Sequence, residues 1–313
     1  MAQARWDTRD MPDLGGKVAV VTGANSGLGF HTTAALASKG AHVVMACRNP
    51  AKTEAAMAEI RRRRPNASLE HIFLDLADQS SVAAFAEKFR AAHKRLDILC
   101  NNAGVMFAPR GKTVDGFEIQ FGTNHLGHFA LTGRLLDVVL ATPQSRIVTV
   151  ASEYARLGHI KLDDLNATRR YDRMAAYANV KLANLMSALE LQRRLEAKGS
   201  ATISVASHPG LSATNLQSTG VGMGNPDALA RFGAWTMRYM NQWLSQPAAM
   251  GALPSLMAAT GPRVKGGDYY GPDKYWGLKG HPHHAPKPRR ALDRDIAARL
   301  WAASEEMTGV TFP

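Results

Sequence analysis

The sequence predicts an α/β fold, a doubly wound parallel sheet with helices on both faces. Three observations predict it. From residue 18 to residue 207, apolar runs suited to strands alternate strictly with stretches suited to helices, the pattern of a parallel sheet with right-handed crossovers. The first run, Val18, Ala19, Val20 and Val21, is apolar without alternation, as in a strand buried on both faces. Chemistry-bearing residues fall at the ends of strands one to six, where ligands bind in such sheets.

The elements follow in order. Residues 1–16 read as a polar surface arm. Thr22 and Gly23 stop strand one, Gly23, Gly27 and Gly29 punctuate a turn, and a helix is expected over 28–39. A strand, a glycine-rich turn and a helix make an anion site, because the helix start offers unpaired N–H groups and a partial positive charge. Glycines also let a pyrophosphate approach the backbone. The spacing is Gly-x3-Gly-x-Gly, not the Gly-x-Gly-x2-Gly of the commonest dinucleotide fingerprint. Strand two covers 41–46 and closes at Cys47, Arg48, Asn49 and Pro50; its helix, 51–64, ends in four arginines, where cations suit a helix C-terminus. Strand three, 69–74, is closed by Asp75, and the helix 79–93 carries Val82, Phe85 and Phe89 on one face. Strand four, 96–99, runs into Asn101, Asn102, Ala103 and Gly104. One long helix is expected over 114–140, with a break near Gly122 or Gly127. Strand five, 146–150, ends at Ala151 and Ser152, a helix fills 174–198, and strand six, 201–207, ends at His208, Pro209 and Gly210.

Beyond Pro209 the alternation fades. Residues 211–230 are rich in Ser, Thr and Gly, and 231–244 read as an amphipathic helix bearing Phe232, Trp235, Tyr239 and Trp243. That stripe reads as core or as a lid over an apolar substrate. A helix over 248–259, a short strand over 268–270 and a last helix over 291–307 complete the chain. His281, His283 and His284 stand among three prolines in 281–288, with no Cys or carboxylate set beside them, so no metal is expected. With no repeat and no linker, the chain is expected to form an arm (1–16), one domain (17–272, lid at 211–245) and a C-terminal extension (273–313) packed on that domain.

The 313 residues are 45% hydrophobic and 20% charged, enough for a large core. The net charge of +12 admits a nucleic acid, an anionic surface or an anionic cofactor. No basic stripe interleaved with aromatics occurs, which excludes a nucleic-acid partner. No run approaches the ~18 apolar residues of an integral membrane segment, and no signal pattern opens the chain, so a cytoplasmic protein is expected. Cys47 and Cys100 end strands that flank strand one, roughly 10 Å apart by strand spacing. That separation is beyond the ~7 Å reach of a disulfide, so free thiols in a reducing compartment are expected.

Tyr177 and Lys181 lie four apart on one helix face. An ammonium one turn away favours phenolate, which suits a tyrosine to acid–base work. Ser152 can hydrogen-bond the same substrate oxygen. The ordered set Thr22-Gly23-x3-Gly27-x-Gly29, Asp75-Leu76, Asn101-Asn102-Ala103-Gly104, Asn124, Ser152, Tyr177-x3-Lys181 and Pro209-Gly210-x3-Thr214 resembles the short-chain dehydrogenase/reductase family over residues 17–216. Ala46-Cys47-Arg48, Asn124-His125-Leu126-Gly127-His128-Phe129, Lys181-Leu182-Ala183-Asn184 and His208-Pro209-Gly210 are similar to phrases of its retinol-dehydrogenase/protochlorophyllide-reductase-like branch. The chain departs from the pattern at Val180, where a serine is common, and no membrane-anchoring N-terminal segment is expected.

The resemblance implies a Rossmann-type fold and a role for each matching residue. Tyr177 is the general acid/base, Lys181 tunes it and binds the nicotinamide ribose, Ser152 orients the carbonyl, and Asn124 holds a water in a proton relay. Gly23, Asn25, Ser26, Gly27, Leu28 and Gly29 line the pyrophosphate and ribose. Asp75 and Leu76 meet the adenine, Asn102, Ala103 and Gly104 pass along the riboses, and Pro209, Gly210 and Thr214 frame the nicotinamide. At the end of strand two stands Arg48 with no acid beside it, which suits a 2′-phosphate. NADP(H) is therefore the preferred cofactor, with NAD(H) admitted. The expected activity is hydride transfer between nicotinamide and the carbonyl or alcohol of a fairly large apolar small molecule. A non-catalytic dinucleotide-binding redox sensor or scaffold is the alternative. A homo-oligomer is admitted.

Overall fold

The computed structural model describes residues 5–211 and 245–312. Eight strands, β1 (Val18–Thr22), β2 (His42–Cys47), β3 (Leu69–Phe73), β4 (Ile98–Asn101), β5 (Arg146–Val150), β6 (Ile203–Ser207), β7 (Tyr269–Lys274) and β8 (Lys279–His284), form one sheet in the order β3-β2-β1-β4-β5-β6-β7-β8. All neighbouring pairs are parallel except β7 with β8. The central strands are buried on both faces. Ala19, Val21, Val43 and Met45 enter one core, and Val20, Val44 and Ala46 enter the other.

Helices α1 (Gly27–Ser38), α2 (Pro50–Arg63) and α7 (Ala248–Thr260) cover the first face through Leu36, Met57, Ile60, Leu253 and Leu256. The other face is covered by α3 (Gln79–Ala92) and by α5 (Gly127–Ala141) with Phe85, Phe89, Leu131 and Leu135. There α6 (Arg173–Ala197) and α8 (Arg294–Thr308) close a third cluster around Leu182, Leu185 and Leu300. The expected stripe Val82, Phe85 and Phe89 is fully buried. Among the described residues no helix is long and apolar enough to cross a membrane. Cys47 and Cys100 are buried free thiols.

Two segments differ from expectation. The helix expected from 114 begins only at α4 (Ile119–Phe121), because Glu118 caps it by accepting the Gln120 and Phe121 N–H groups. It then passes through a π-helical turn, Gly122–Leu126, into α5, so the expected break takes the form of a widened turn. The second difference is β8. Its His/Pro-rich residues pair with β7 through the backbone at Tyr270↔His284 and Gly271↔His283. The boundary expected between 272 and 273 falls within β7. The arm is tied down, with Met11 and Leu14 buried in the core. Thr214, the segment 212–230, the aromatic stripe 231–244 and most of the expected lid lie outside the described residues.

Candidate active site

The turn from β1 to α1 is shaped for close backbone approach. A Cβ on Gly29 would stand 2.3 Å from the Gly23 carbonyl oxygen and 2.6 Å from Asn102 Nδ2. Gly23 and Gly27 have φ of 63° and 54°, in the left-handed region that glycine occupies freely. Ser26 occupies the N-cap of α1 but makes no side-chain cap, and the first turn carries no acid. The N–H groups of this helix start are therefore left for an anion. Asn25 and Leu28 lie half-buried in the same turn, with Ser26 exposed. Asn102 ties β4 to β1: its N–H donates to Thr22 Oγ1 (2.9 Å) and its Nδ2 to the Thr22 carbonyl (2.8 Å). The Ala103 N–H also donates to Thr22 Oγ1 at 2.9 Å.

Tyr177 and Lys181 lie on α6 and are almost wholly buried, as is Ser152 at the end of β5. Lys181 Nζ donates to the Val150 carbonyl at 2.9 Å and lies 5.8 Å from the Tyr177 ring centroid. Burial pushes the Tyr177 phenol well above its usual value, against the opposing hydrogen bond of Ser152. Burial likewise lowers Lys181 to about 8. In the protein by itself desolvation is the largest influence on the phenol. The Tyr177 phenol thus keeps its proton in the protein by itself. Phe107 and Tyr154 pack edge-on against its ring, at 5.3 and 5.7 Å between centroids.

Asn124 sits in the π turn. Its side chain is spent on Val105, accepting the N–H at 2.7 Å and donating to the carbonyl at 2.8 Å. Its main-chain carbonyl faces His128 Nδ1 at 2.9 Å and accepts from Asn184 Nδ2 at 3.1 Å. A carbonyl only accepts, so His128 Nδ1 carries the proton and Nε2 accepts from the Thr22 hydroxyl, 2.9 Å away. Burial lowers His128 and His125 to about 4, which keeps both neutral. The Asn124 side chain and carbonyl are thus bonded to Val105, His128 and Asn184. Beside them a cavity of about 30 Å³ is lined by Asn101, His125, His128, Asn184, Ser187 and Trp301. Asn101 Oδ1, Ser187 Oγ and Trp301 Nε1 have no protein partner there, and the space suits about one water.

The short chain dehydrogenase family model matches residues 17–220. The chain belongs to the short-chain dehydrogenase/reductase family. Human retinol dehydrogenase 13 is 41% identical over 301 residues, covering 95% of this chain and 86% of the relative. Human retinol dehydrogenase 14 is 39% identical over 310 residues, covering 94% and 87%. A crystal structure of an uncharacterized protein from Mycobacterium paratuberculosis is 40% identical with a TM-score of 0.81, covering 99% of this chain and 100% of that one. L-Sorbose reductase from Gluconobacter frateurii, at 18% identity and a TM-score of 0.64, shares the fold over 83% of this chain. This short-chain dehydrogenase/reductase is therefore an oxidoreductase acting on CH–OH and C=O groups, of the retinol-dehydrogenase-like branch. The sensor-or-scaffold alternative is set aside.

The remaining matching residues of this short-chain dehydrogenase/reductase occupy the same end of the sheet. Asp75 Oδ1 accepts the Ala77 N–H at 2.9 Å, so the carboxylate is half committed to its own turn. Leu76 is buried against the start of α5, where a Cβ on Gly127 would stand 2.4 Å from its carbonyl oxygen. Gly104 lies beside the Asn124 carboxamide. Gly210 has φ of 63°, and a Cβ there would stand 2.4 Å from the Leu278 carbonyl oxygen. Pro209 carries the carbonyl that accepts from Gln246. Arg48 is exposed just past β2. The bonds of Thr22 and Asn184 across the site, and the place of the β7–β8 turn beside it, are not visible in the sequence. That turn holds Tyr275 and Trp276, 67% and 92% exposed, and its Gly277 abuts Glu153 in the turn after Ser152.

Proposed function

We propose that the protein is an NADP(H)-dependent carbonyl reductase or alcohol dehydrogenase for a fairly large apolar substrate, working in a reducing compartment such as the cytoplasm. The observation that carries the reading is the buried grouping of Tyr177, Lys181 and Ser152 at the carboxyl end of the sheet. The open N-terminus of α1 and the glycine surface around Gly29 fit a dinucleotide pyrophosphate. A bound nicotinamide supplies or accepts the hydride. Ser152 donates to the carbonyl oxygen, and Tyr177 delivers the proton in reduction or removes it in oxidation. Lys181 spends one of its three donors on Val150, leaving two for ribose hydroxyls. Gly23, Asn25, Ser26, Gly27, Leu28 and Gly29 would hold the phosphates, Asp75 and Leu76 the adenine, and Asn102, Ala103, Gly104, Pro209 and Gly210 the riboses and nicotinamide. Asn124 shapes the floor through its carbonyl.

Arg48, without an acid beside it, supports NADP(H) over NAD(H), since a guanidinium pairs with a 2′-phosphate. Phe107 and Tyr154 around Tyr177, with exposed Leu157, Tyr275 and Trp276 on the two segments flanking Glu153, support an apolar substrate. The name of the retinol dehydrogenase relatives points the same way. Assaying purified protein against ketones, aldehydes and alcohols graded in apolar size, with NADPH or NADH, tests the reading. We expect kcat/KM to rise with apolar size and NADPH to be preferred. A preference for short polar carbonyls or for NADH would overturn it.

A further inference from the structure

At the opposite, amino-terminal edge of the sheet three side chains converge. His42 opens β2, Glu70 lies on β3 and His93 follows α3. His42 Nε2 stands 3.1 Å and His93 Nε2 2.7 Å from one oxygen, Glu70 Oε2. The three donor atoms all lie within 4.8 Å of one another, and the two imidazole rings are 5.2 Å apart. Each residue is half-buried, so the cluster is shaped by packing yet reachable from water.

We propose that His42, Glu70 and His93 form a binding site for a divalent transition-metal ion, zinc foremost, with water completing the coordination. Two imidazole nitrogens and one carboxylate oxygen are the donor set of an open zinc site. Nitrogen donors disfavour calcium and magnesium, which take oxygen. Metal–ligand bonds of about 2.0–2.2 Å set the donors of a tetrahedron roughly 3.3–3.5 Å apart. The spacings of 3.1 and 2.7 Å reach that range when the Glu70 carboxylate withdraws by several tenths of an ångström, a small rotation for a half-exposed side chain.

The surroundings already orient the ligands. His42 Nδ1 lies 2.7 Å from Ser68 Oγ. With Nδ1 protonated and donating to that hydroxyl, Nε2 presents its lone pair, the arrangement usual behind a metal-bound imidazole. The Phe89 ring, 4.9 Å from that of His93, holds the second ligand in place. Without an ion, each Nε2 carries a proton and donates to Glu70. The ion therefore replaces two protons on rings that already point at one place. It would pin β3, the edge strand, and β2 to the end of α3. The site lies far from the dinucleotide end and is independent of the proposed reaction.

The histidines of β8 do not form a rival cluster. His281 Nδ1 faces the Trp6 carbonyl, His283 Nδ1 faces the Gly271 carbonyl, and His284 packs on Tyr270. The test uses the full chain without a histidine tag, stripped with a chelator and titrated with zinc and with cobalt. We expect one ion per chain, a visible cobalt band of low-coordinate type, and a melting temperature raised by about 5 °C when free zinc is about 100 times Kd. Glu70→Gln and His93→Ala should each weaken binding at least ~tenfold, and Ser68→Ala, which leaves all three ligands in place, by roughly 10- to 100-fold. A His281→Ala/His283→Ala/His284→Ala variant should bind as the wild type does. No saturable binding to the wild type, or binding lost in that triple variant and kept in Glu70→Gln and His93→Ala, would overturn the proposal.

Discussion

Two strand-to-helix turns of the same sheet close in opposite ways. After β3 the chain enters α3 through Asp78, whose carboxylate accepts the Ser80 and Ser81 N–H groups at 2.8 and 3.2 Å. After β1 it enters α1 through Ser26, which caps nothing. Asn49 and Asp172 cap α2 and α6, which also follow parallel strands. A side-chain cap contributes about 1 kcal/mol to stability, so an uncapped α1 is a stability cost borne where a ligand anion can take the place of the cap. The difference separates positions kept for binding and chemistry from positions kept for folding. Substitutions at the open end should cost function and little stability, and those at the closed ends the reverse.

The largest effect belongs to Tyr177→Phe. Turnover should fall at least ~100-fold, the usual worth of general acid–base catalysis, while NADPH affinity and melting temperature stay nearly constant. Steady-state kinetics with a fluorescence titration of NADPH would check it, and retained turnover would remove the phenol from the chemistry.

Arg48→Ala comes next. Charge-assisted contacts are worth roughly 1.5–3 kcal/mol, so NADP(H) affinity should drop by roughly 10- to 150-fold and NAD(H) affinity much less. An equal change in both, measured at fixed ionic strength, would place the selector elsewhere in the turn.

A pH profile sharpens the comparison further. Burial lowers Lys181 to about 8, so its ammonium is present below that pH and lost above it. The kcat/KM for carbonyl reduction should fall as pH rises through about 8. Lys181→Arg keeps the charge and should abolish that limb even where its overall rate is lower. A limb that survives in the arginine variant belongs to another group.

The smallest effect lies at the closed end. Asp78→Ala should lower stability by about 1 kcal/mol and leave NADPH affinity unchanged, as read by chemical denaturation and the same titration.

How much of this was legible depends on what each element leans on. Strands β1, β2 and β4 were readable because burial on both faces favours unbroken apolar runs, as Ala19 and Val20 show by entering opposite cores. Strand β8 was not. Lys279–His284 contains no alternating apolar residue and becomes a strand through its backbone pairing with β7. The start of α4 was hidden because Glu118 decides it as a cap, after an isolated pairing of Lys112 with Glu118. Within the site, Tyr177 and Lys181 were visible as a helical spacing. The contact of His128 with Thr22 was not, since it joins a buried hydroxyl across 106 positions to a ring that a backbone carbonyl orients. His42, Glu70 and His93 likewise come together only when β2, β3 and the end of α3 are placed side by side.

Ser26→Asp, followed by paired melting and NADPH titration, tests whether α1 is left open for the cofactor's phosphates. The new carboxylate can cap the helix and meets its positive end, so the protein without cofactor should melt at the same temperature or higher. Set against a pyrophosphate, the same charge should weaken NADPH binding at least ~tenfold, since two like charges ~4 Å apart at an effective dielectric of ~20 repel by about 4 kcal/mol. Unchanged NADPH affinity in a stably folded Ser26→Asp protein would contradict the account.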